Sequence, residues 1–134
     1  MGRPEATGLV TPATVTPMSR PVIVIIGAGP GVSGSVARRY AREGYDVGLL
    51  GVVEDQLTAL GRELEEIGVD RQLAVVDVTD VAATTEVIRS MGETFGRIDV
   101  LHFNPSAFRE KDPLELTVDE LLEDVALGVG ALLT

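Results

Sequence analysis

Short unbroken apolar runs alternate along the chain with longer stretches in which apolar residues return every three or four positions. The first run, Val22 to Ile26, is β-branched throughout and continuous, as expected of a strand covered on both faces in a parallel sheet. Val32, Val36 and Tyr40 then return at helical spacing up to Gly44, a residue suited to a helix C-terminus. Asp46 to Leu50 predicts a second strand. Leu57, Leu60, Leu64 and Ile67 form one stripe of a helix over Glu54 to Ile67 that Gly68 closes. Gln72 to Val76 predicts a third strand, and Asp80 is placed to cap a helix over Val81 to Phe95 that turns Val87, Ile88, Met91 and Phe95 inward. Gly96 stops that helix, and Ile98 to Phe103 predicts a fourth strand. After a polar loop, Thr117 and Glu120 form a Thr-x-x-Glu capping box that opens a last helix toward Thr134, with no terminator in view.

Strands alternating with helices at this spacing predict βαβ units with right-handed crossovers, hence an α/β, Rossmann-like doubly wound parallel sheet. The expected strand order is 3-2-1-4, with the switch point between strands 1 and 4. Residues 1–20 are rich in Thr and Pro, and Pro4, Pro12 and Pro17 forbid regular structure. They are expected to be a disordered leader to a domain over 21–134, with Met18 as an alternative start.

Ligands of such sheets bind beyond the carboxyl ends of the strands. That rule gathers Gly27 to Ser33, Gly51 to Val53, Asp77 to Val78 and Asn104 to Ser106 onto one rim. Within it the glycine run admits two readings: Gly29, Gly31 and Gly34 satisfy G-x-G-x-x-G, and Gly27 with Gly31 satisfies a wider G-x-x-x-G. Either way, a strand, a glycine turn and a helix N-terminus make an anion site of free amides and helix dipole, for which a dinucleotide pyrophosphate is the usual occupant. The competing reading is a tight connection and nothing more.

Composition narrows the field. A formal charge of −10 on 134 residues opposes nucleic acid and anionic lipid as partners, and Arg38, Arg39 and Arg42 on one helix are expected to be a solvated face. There is no cysteine, which excludes disulfides and thiolate chemistry, and the lone His102 lies inside the fourth strand, where packing is its expected role. No run is long enough to span a bilayer, so a cytoplasmic location without a membrane partner is the expectation. An acidic residue ending strand 2 would hold the ribose hydroxyls of NAD and an arginine the extra phosphate of NADP. Gly51, Val52 and Val53 offer neither, and Glu54 is assigned to its helix N-terminus.

The glycine turn after strand 1, Asp77-Val78-Thr79-Asp80 after strand 3, and the run Gly96 to Ala107 through strand 4 together resemble the N-terminal half of the short-chain dehydrogenase/reductases. The resemblance covers about Pro21 to Thr134 and implies NAD or NADP as cofactor. Gly27 and Gly31 match the first two glycines of the family's Thr-Gly-x-x-x-Gly-x-Gly turn, which wraps the pyrophosphate. Asp77 and Val78 match residues flanking the adenine, and Asn104 matches the second Asn of Asn-Asn-Ala-Gly near the ribose. The cofactor-binding set is thus Gly27, Gly29, Gly31, Val32, Ser33, Asp77, Val78, Asn104, Pro105 and Ser106.

There are departures. Ile26 stands for the usual Thr, Ser33 for the third glycine, and Phe103, Pro105 and Ser106 for the rest of Asn-Asn-Ala-Gly. The family's catalytic Tyr-x-x-x-Lys is missing: the lysine is Lys111, the tyrosines are Tyr40 and Tyr45, and Leu127 or Gly128 falls where the helix Asn belongs. The resemblance therefore implies the cofactor-binding half of an oxidoreductase, inactive as it stands. Alternatives are a non-catalytic nucleotide-binding module or sensor, a truncated gene product, and a flavoprotein suggested by Gly-Ala-Gly-Pro-Gly. A homo-oligomer joined through an open sheet edge or the last helix is a further expectation.

Overall fold

A computed structural model describes residues 19–133. Its elements run β1 (Val22–Ile26), α1 (Val32–Arg42), β2 (Asp46–Gly51), α2 (Glu54–Ile67), β3 (Arg71–Val75), α3 (Val81–Phe95), β4 (Val100–Phe103) and α4 (Val118–Gly128), with single 3-10 turns at Pro113–Glu115 and Gly130–Leu133. All three strand pairings are parallel and the order is β3-β2-β1-β4, the order the alternation predicts. The expected leader falls outside the described residues except for Ser19 and Arg20. Arg20 reaches back to donate to the Gly68 carbonyl at 2.8 Å.

The central strands β1 and β2 are covered on both faces, which is why β1 is apolar at every position. Ile23 and Ile25, with Val47 and Leu49 of β2, pack under Ala37 and Ala41 of α1 and Leu57, Leu60 and Leu64 of α2. Their neighbours Val22, Val24 and Ile26 face the other way, with Leu50, against Met91 of α3, Val78 and Ala131. Successive strand residues point to opposite faces. A continuous run is thus what two helix layers demand.

Turn chemistry sets the ends of the helices. Gly68 and Gly96 take left-handed φ values of 92° and 80° at the C-termini of α2 and α3. At the N-terminus of α3, Asp80 accepts from the Ala83 amide at 3.0 Å, as predicted. Three strands differ from the sequence reading at their ends, β2 by running one residue further, to Gly51. β3 begins and ends one residue earlier, and β4 begins at Val100 because Ile98 is spent packing beside Gly92 of α3 while the Asp99 carboxylate accepts from the Val22 amide. The last helix also ends sooner than expected. Gly128 and Gly130 bracket its end, and two glycines within three residues raise the entropic cost of continuing.

The predicted capping box of α4 forms in full: Thr117 Oγ1 accepts from the Glu120 amide at 3.2 Å, and Glu120 accepts from the Thr117 amide at 2.9 Å. That backbone bond, with Lys111 and the Thr117 hydroxyl, lowers the Glu120 carboxyl from 4.5 to about 2. A depressed native value means the contribution is complete above pH 4.5 and disappears as pH falls toward about 2. The first turn of α4 is therefore expected to fray in that acid window, seen as movement of the Thr117 and Glu120 amide resonances. Glu120→Gln should abolish the transition. A wild-type midpoint at the ordinary carboxylate value would contradict the assignment.

Two of the three arginines of α1 are held by carboxylates. Arg38 pairs with Glu63 of α2 at 2.5 Å and Arg39 with Glu43 at 2.8 Å, both at the surface where such pairs contribute little. His102 sits opposite Ile25 in the β1·β4 register, half buried, and its Nε2 has no hydrogen-bond partner. No helix among the described residues is long and apolar enough to cross a membrane.

Candidate functional site

The hairpin-tight passage from β1 into α1 is pinned from two sides. The amides of Gly27 and Ala28 both donate to the Leu50 carbonyl, at 2.9 and 2.8 Å, which ties the turn to the end of β2. On the other side, Gly27 lies so close to β4 that a Cβ would fall 2.5 Å from Pro105 N and 2.6 Å from Asn104 O. Its φ of 82° also belongs to the region that favours glycine. Gly34 has a different reason: a Cβ there would fall 2.6 Å from the Gly29 carbonyl oxygen, so the first turn of α1 can rest directly on the loop. A Cβ on Gly31, by contrast, would meet nothing within 4 Å.

These positions give the two glycine readings separate physical content. Gly27 and Gly34 permit close backbone packing, whereas Gly31 opens onto free space at the N-cap of α1. The amides of Val32, Ser33 and Gly34 begin the helix and have no intrahelical acceptor. No acidic side chain occupies this first turn. A helix start with free amides, an uncancelled dipole and open space in front can accept an anion.

That space is a cavity of about 650 Å³ beyond the carboxyl ends of the strands. All ten residues singled out from sequence line it: Gly27, Gly29, Gly31, Val32 and Ser33 from the turn and α1, Asp77 and Val78 after β3, and Asn104, Pro105 and Ser106 after β4. Gly51, Val52 and Val53 complete the wall at the end of β2. The topology brings them together because every strand of a parallel sheet ends at the same rim.

Inside the cavity, Asn104 links two walls. Its amide donates to the Ile26 carbonyl at 2.9 Å, extending the β1·β4 ladder, and its Nδ2 donates to Ser33 Oγ at 3.2 Å. Ser33 is nearly fully buried. An accepting hydroxyl keeps its own proton free to donate elsewhere. Asp77 accepts from both the hydroxyl and the amide of Thr79, at 2.7 and 2.9 Å, and these bonds, the hydroxyl first, hold its carboxyl below the usual range. It stays anionic at neutral pH. Val78 beside it is buried.

Gln56 of α2 and Leu127 of α4 also line the cavity and were not singled out from sequence. Gln56 had a readable signal, since it lies in the first turn of the helix that follows the rim residues of β2. For Leu127 the signal lay in the family resemblance, which sets Leu127 or Gly128 where the helix Asn belongs, since nothing local says which residue of α4 folds back over the rim. The remaining candidates for chemistry are elsewhere. Tyr40 and Tyr45 stack edge to face at 4.9 Å where α1 passes into β2, at the amino ends of the strands. Lys111 is held by Glu120 at 2.9 Å. No group of three or more potential metal ligands occurs among the described residues.

Comparison with known proteins gives this geometry a context. The chain is similar to meso-2,3-butanediol dehydrogenase of Serratia marcescens, 33% identical over 100 residues that cover 74% of this chain and 39% of that protein. In structure it is similar to a short chain dehydrogenase from Mycobacterium smegmatis, with a TM-score of 0.74 and 27% identity over 86% of this chain and 48% of the other. An NAD+-bound xylitol dehydrogenase matches with a TM-score of 0.74 and 26% identity, over 84% of this chain and 44% of that one. The chain thus spans less than half the length of each of these relatives. The profile of the family described as short chain dehydrogenase matches residues 21–128. With that match running from the residue before β1 to the last residue of α4, on a sheet ordered β3-β2-β1-β4, the chain belongs to the short chain dehydrogenase family.

Proposed function

We propose that this chain is the cofactor-binding portion of an NAD(P)-dependent oxidoreductase. The observation that carries the reading is the free N-terminus of α1, open to the cavity through Gly31 and without an acidic residue in its first turn. The amides of Val32, Ser33 and Gly34 would hold the diphosphate. Asp77, ionised and facing the rim, would accept from the adenine amine, with Val78 packed beside the ring. Asn104 would lie along the ribose next to the nicotinamide, with Pro105 and Ser106 closing that end. A nicotinamide so held supplies or accepts hydride. The chain's own residues bind it, orient it and exclude water from one side.

A second reading, a nucleotide-binding module without turnover, has its own support. Neither tyrosine lines the cavity, and the sole lysine of the sequence is engaged by Glu120. Both readings expect binding, so the first test is a titration of the 134-residue chain with NAD+, NADH, NADP+ and NADPH, followed by calorimetry or nucleotide fluorescence. A saturable signal with a stoichiometry near one is the expected result. No signal from folded protein would end both readings. The same preparation should show no hydride transfer with alcohol or carbonyl substrates, since among the described residues no general acid or base lines the rim apart from Asp77. Turnover would refute that statement.

A further inference from the structure

In dinucleotide-binding sheets the side chain at the end of the second strand faces the adenosine ribose, where a carboxylate takes the two hydroxyls and an arginine takes a 2′-phosphate. Here the position is Gly51, and the fold forbids it a side chain. A Cβ would fall 2.8 Å from the Ala28 carbonyl oxygen and 3.2 Å from Leu57 Cδ2. Ala28 cannot easily withdraw, since its amide is bound to the Leu50 carbonyl at 2.8 Å. Val52 and Val53 follow, both aliphatic. The next polar side chain on this wall is Gln56, which is exposed, lines the cavity and carries its Oε1 3.5 Å from where a Cβ on Gly29 would stand. Its carboxamide therefore lies beside the glycine turn.

Charge in the cavity has one sign. Among the described residues no Lys, Arg or His lines the cavity, and Asp77 is its charged member. Glu54 and Asp55 do not line the cavity; they occupy the first turn of α2, directly after Val53 of its wall, and offset the helix dipole that would otherwise attract a phosphate there. Arg38 has its Nη1 near Gly34, yet its guanidinium is engaged by Glu63 through Nε and Nη2 at 2.5 and 3.1 Å.

We propose that this chain selects NAD over NADP, with Gln56 taking the adenosine ribose hydroxyls in place of the missing strand-end carboxylate and with Glu54 and Asp55 repelling a 2′-phosphate. The inference rests on the reading of the cavity as a dinucleotide site. A carboxamide both donates and accepts, as a pair of hydroxyls requires, and it brings no charge with which to hold a phosphate. A 2′-phosphate carries between one and two negative charges near neutral pH and would enter this wall with no cation to meet it.

The test is calorimetric titration of the 134-residue chain with NAD+ and NADP+ at low ionic strength. NAD+ is expected to bind at least about tenfold more tightly, with the ratio narrowing as salt screens Asp77 and the acidic first turn of α2. Gln56→Arg, at an exposed position that does not burden folding, should tighten NADP+ by about tenfold or more and shift the ratio toward it. The pair Glu54→Gln and Asp55→Asn should strengthen NADP+ with little change in NAD+. Equal affinities or a preference for NADP+ in the wild type would overturn this inference and leave the dinucleotide reading standing. So would a Gln56→Arg variant whose ratio does not move. Failure of both nucleotides to bind would remove the two together.

Discussion

Gly27→Ala is expected to lose about 2 to 5 kcal/mol of folding stability and, with it, nucleotide binding. Two costs combine. A non-glycine residue held at a φ of 82° pays for its left-handed conformation, about 1–2 kcal/mol. The added Cβ would also stand 2.5–2.6 Å from Pro105 N, Pro105 Cα and Asn104 O, backbone atoms that cannot rotate away, and overpacking of this kind costs about 1–3 kcal/mol. Relief requires moving the end of β4 away from the glycine turn. That movement would break the Asn104 to Ser33 hydrogen bond and widen the cavity. Chemical denaturation gives the stability, and nucleotide titration of the fraction still folded gives the binding. A substitution at Gly31, where a Cβ meets open space and φ is negative, is the control. Gly31→Ala should cost less stability than Gly27→Ala while crowding the space the diphosphate needs. If Gly27→Ala proved as stable as wild type, the close approach of β4 to the turn would be wrong.

Leu57→Ala should be comparably damaging to stability, by about 2–5 kcal/mol, for a reason that lies in the core. Leu57 is 2% exposed and belongs to the cluster that packs α2 against β1 and β2. Its Cδ2 also stands 3.2 Å from the would-be Cβ of Gly51, so it fills the space beneath the rim at the end of β2. Removing three carbons leaves a cavity that the tightly hydrogen-bonded turn at Gly27 and Ala28 is poorly able to fill. The midpoint of denaturant unfolding should fall with little change in slope, since the surface exposed on unfolding is nearly the same. Nucleotide affinity should weaken less than in Gly27→Ala, because the amides of α1 are untouched. A fall in midpoint corresponding to less than about 1 kcal/mol would mean that Leu57 is not sealed in the way the fold implies.

The two substitutions act on different links between sequence and function. Gly27 is a constraint of backbone space, and its side chain is required to be absent. Leu57 is a constraint of volume, and its side chain is required to be there. Both meet at the end of β2, where the turn, the strand and α2 come within van der Waals distance. Gly51 records the same crowding. It leaves no room for a side chain at the place where the general rule expects a ribose-binding carboxylate.

Much of this was legible from the order of residues along the chain. Continuous β-branched runs require cover on both faces, helical stripes show which side of each helix is apolar, and short polar or glycine segments mark the turns. Those rules depend on near neighbours, and they specified four parallel strands, their order, the Asp80 cap, the Thr117 and Glu120 box and the rim on which all ten candidate residues meet. The errors were also local in character. The apolar stripe of α4 runs on past Gly128 and Gly130, which end the helix, and Ile98 looks like a strand residue until α3 is seen beside it.

Only the tertiary structure could decide what each glycine is for and which side chains face the cavity. Gly27, Gly31 and Gly34 are the same letter, yet one is pressed against the backbone of β4, one faces open space and one supports the carbonyl of Gly29. Ser33 and Asn104 are 71 positions apart and share a hydrogen bond. Gln56 brings a polar side chain to the wall at the end of β2, where Gly51 has no room for one. Periodicity is set by bonds along the chain and can be read from it. Steric exclusion and hydrogen bonding across the rim depend on where distant segments come to lie, which is settled when the sheet closes and the helices pack on its two faces.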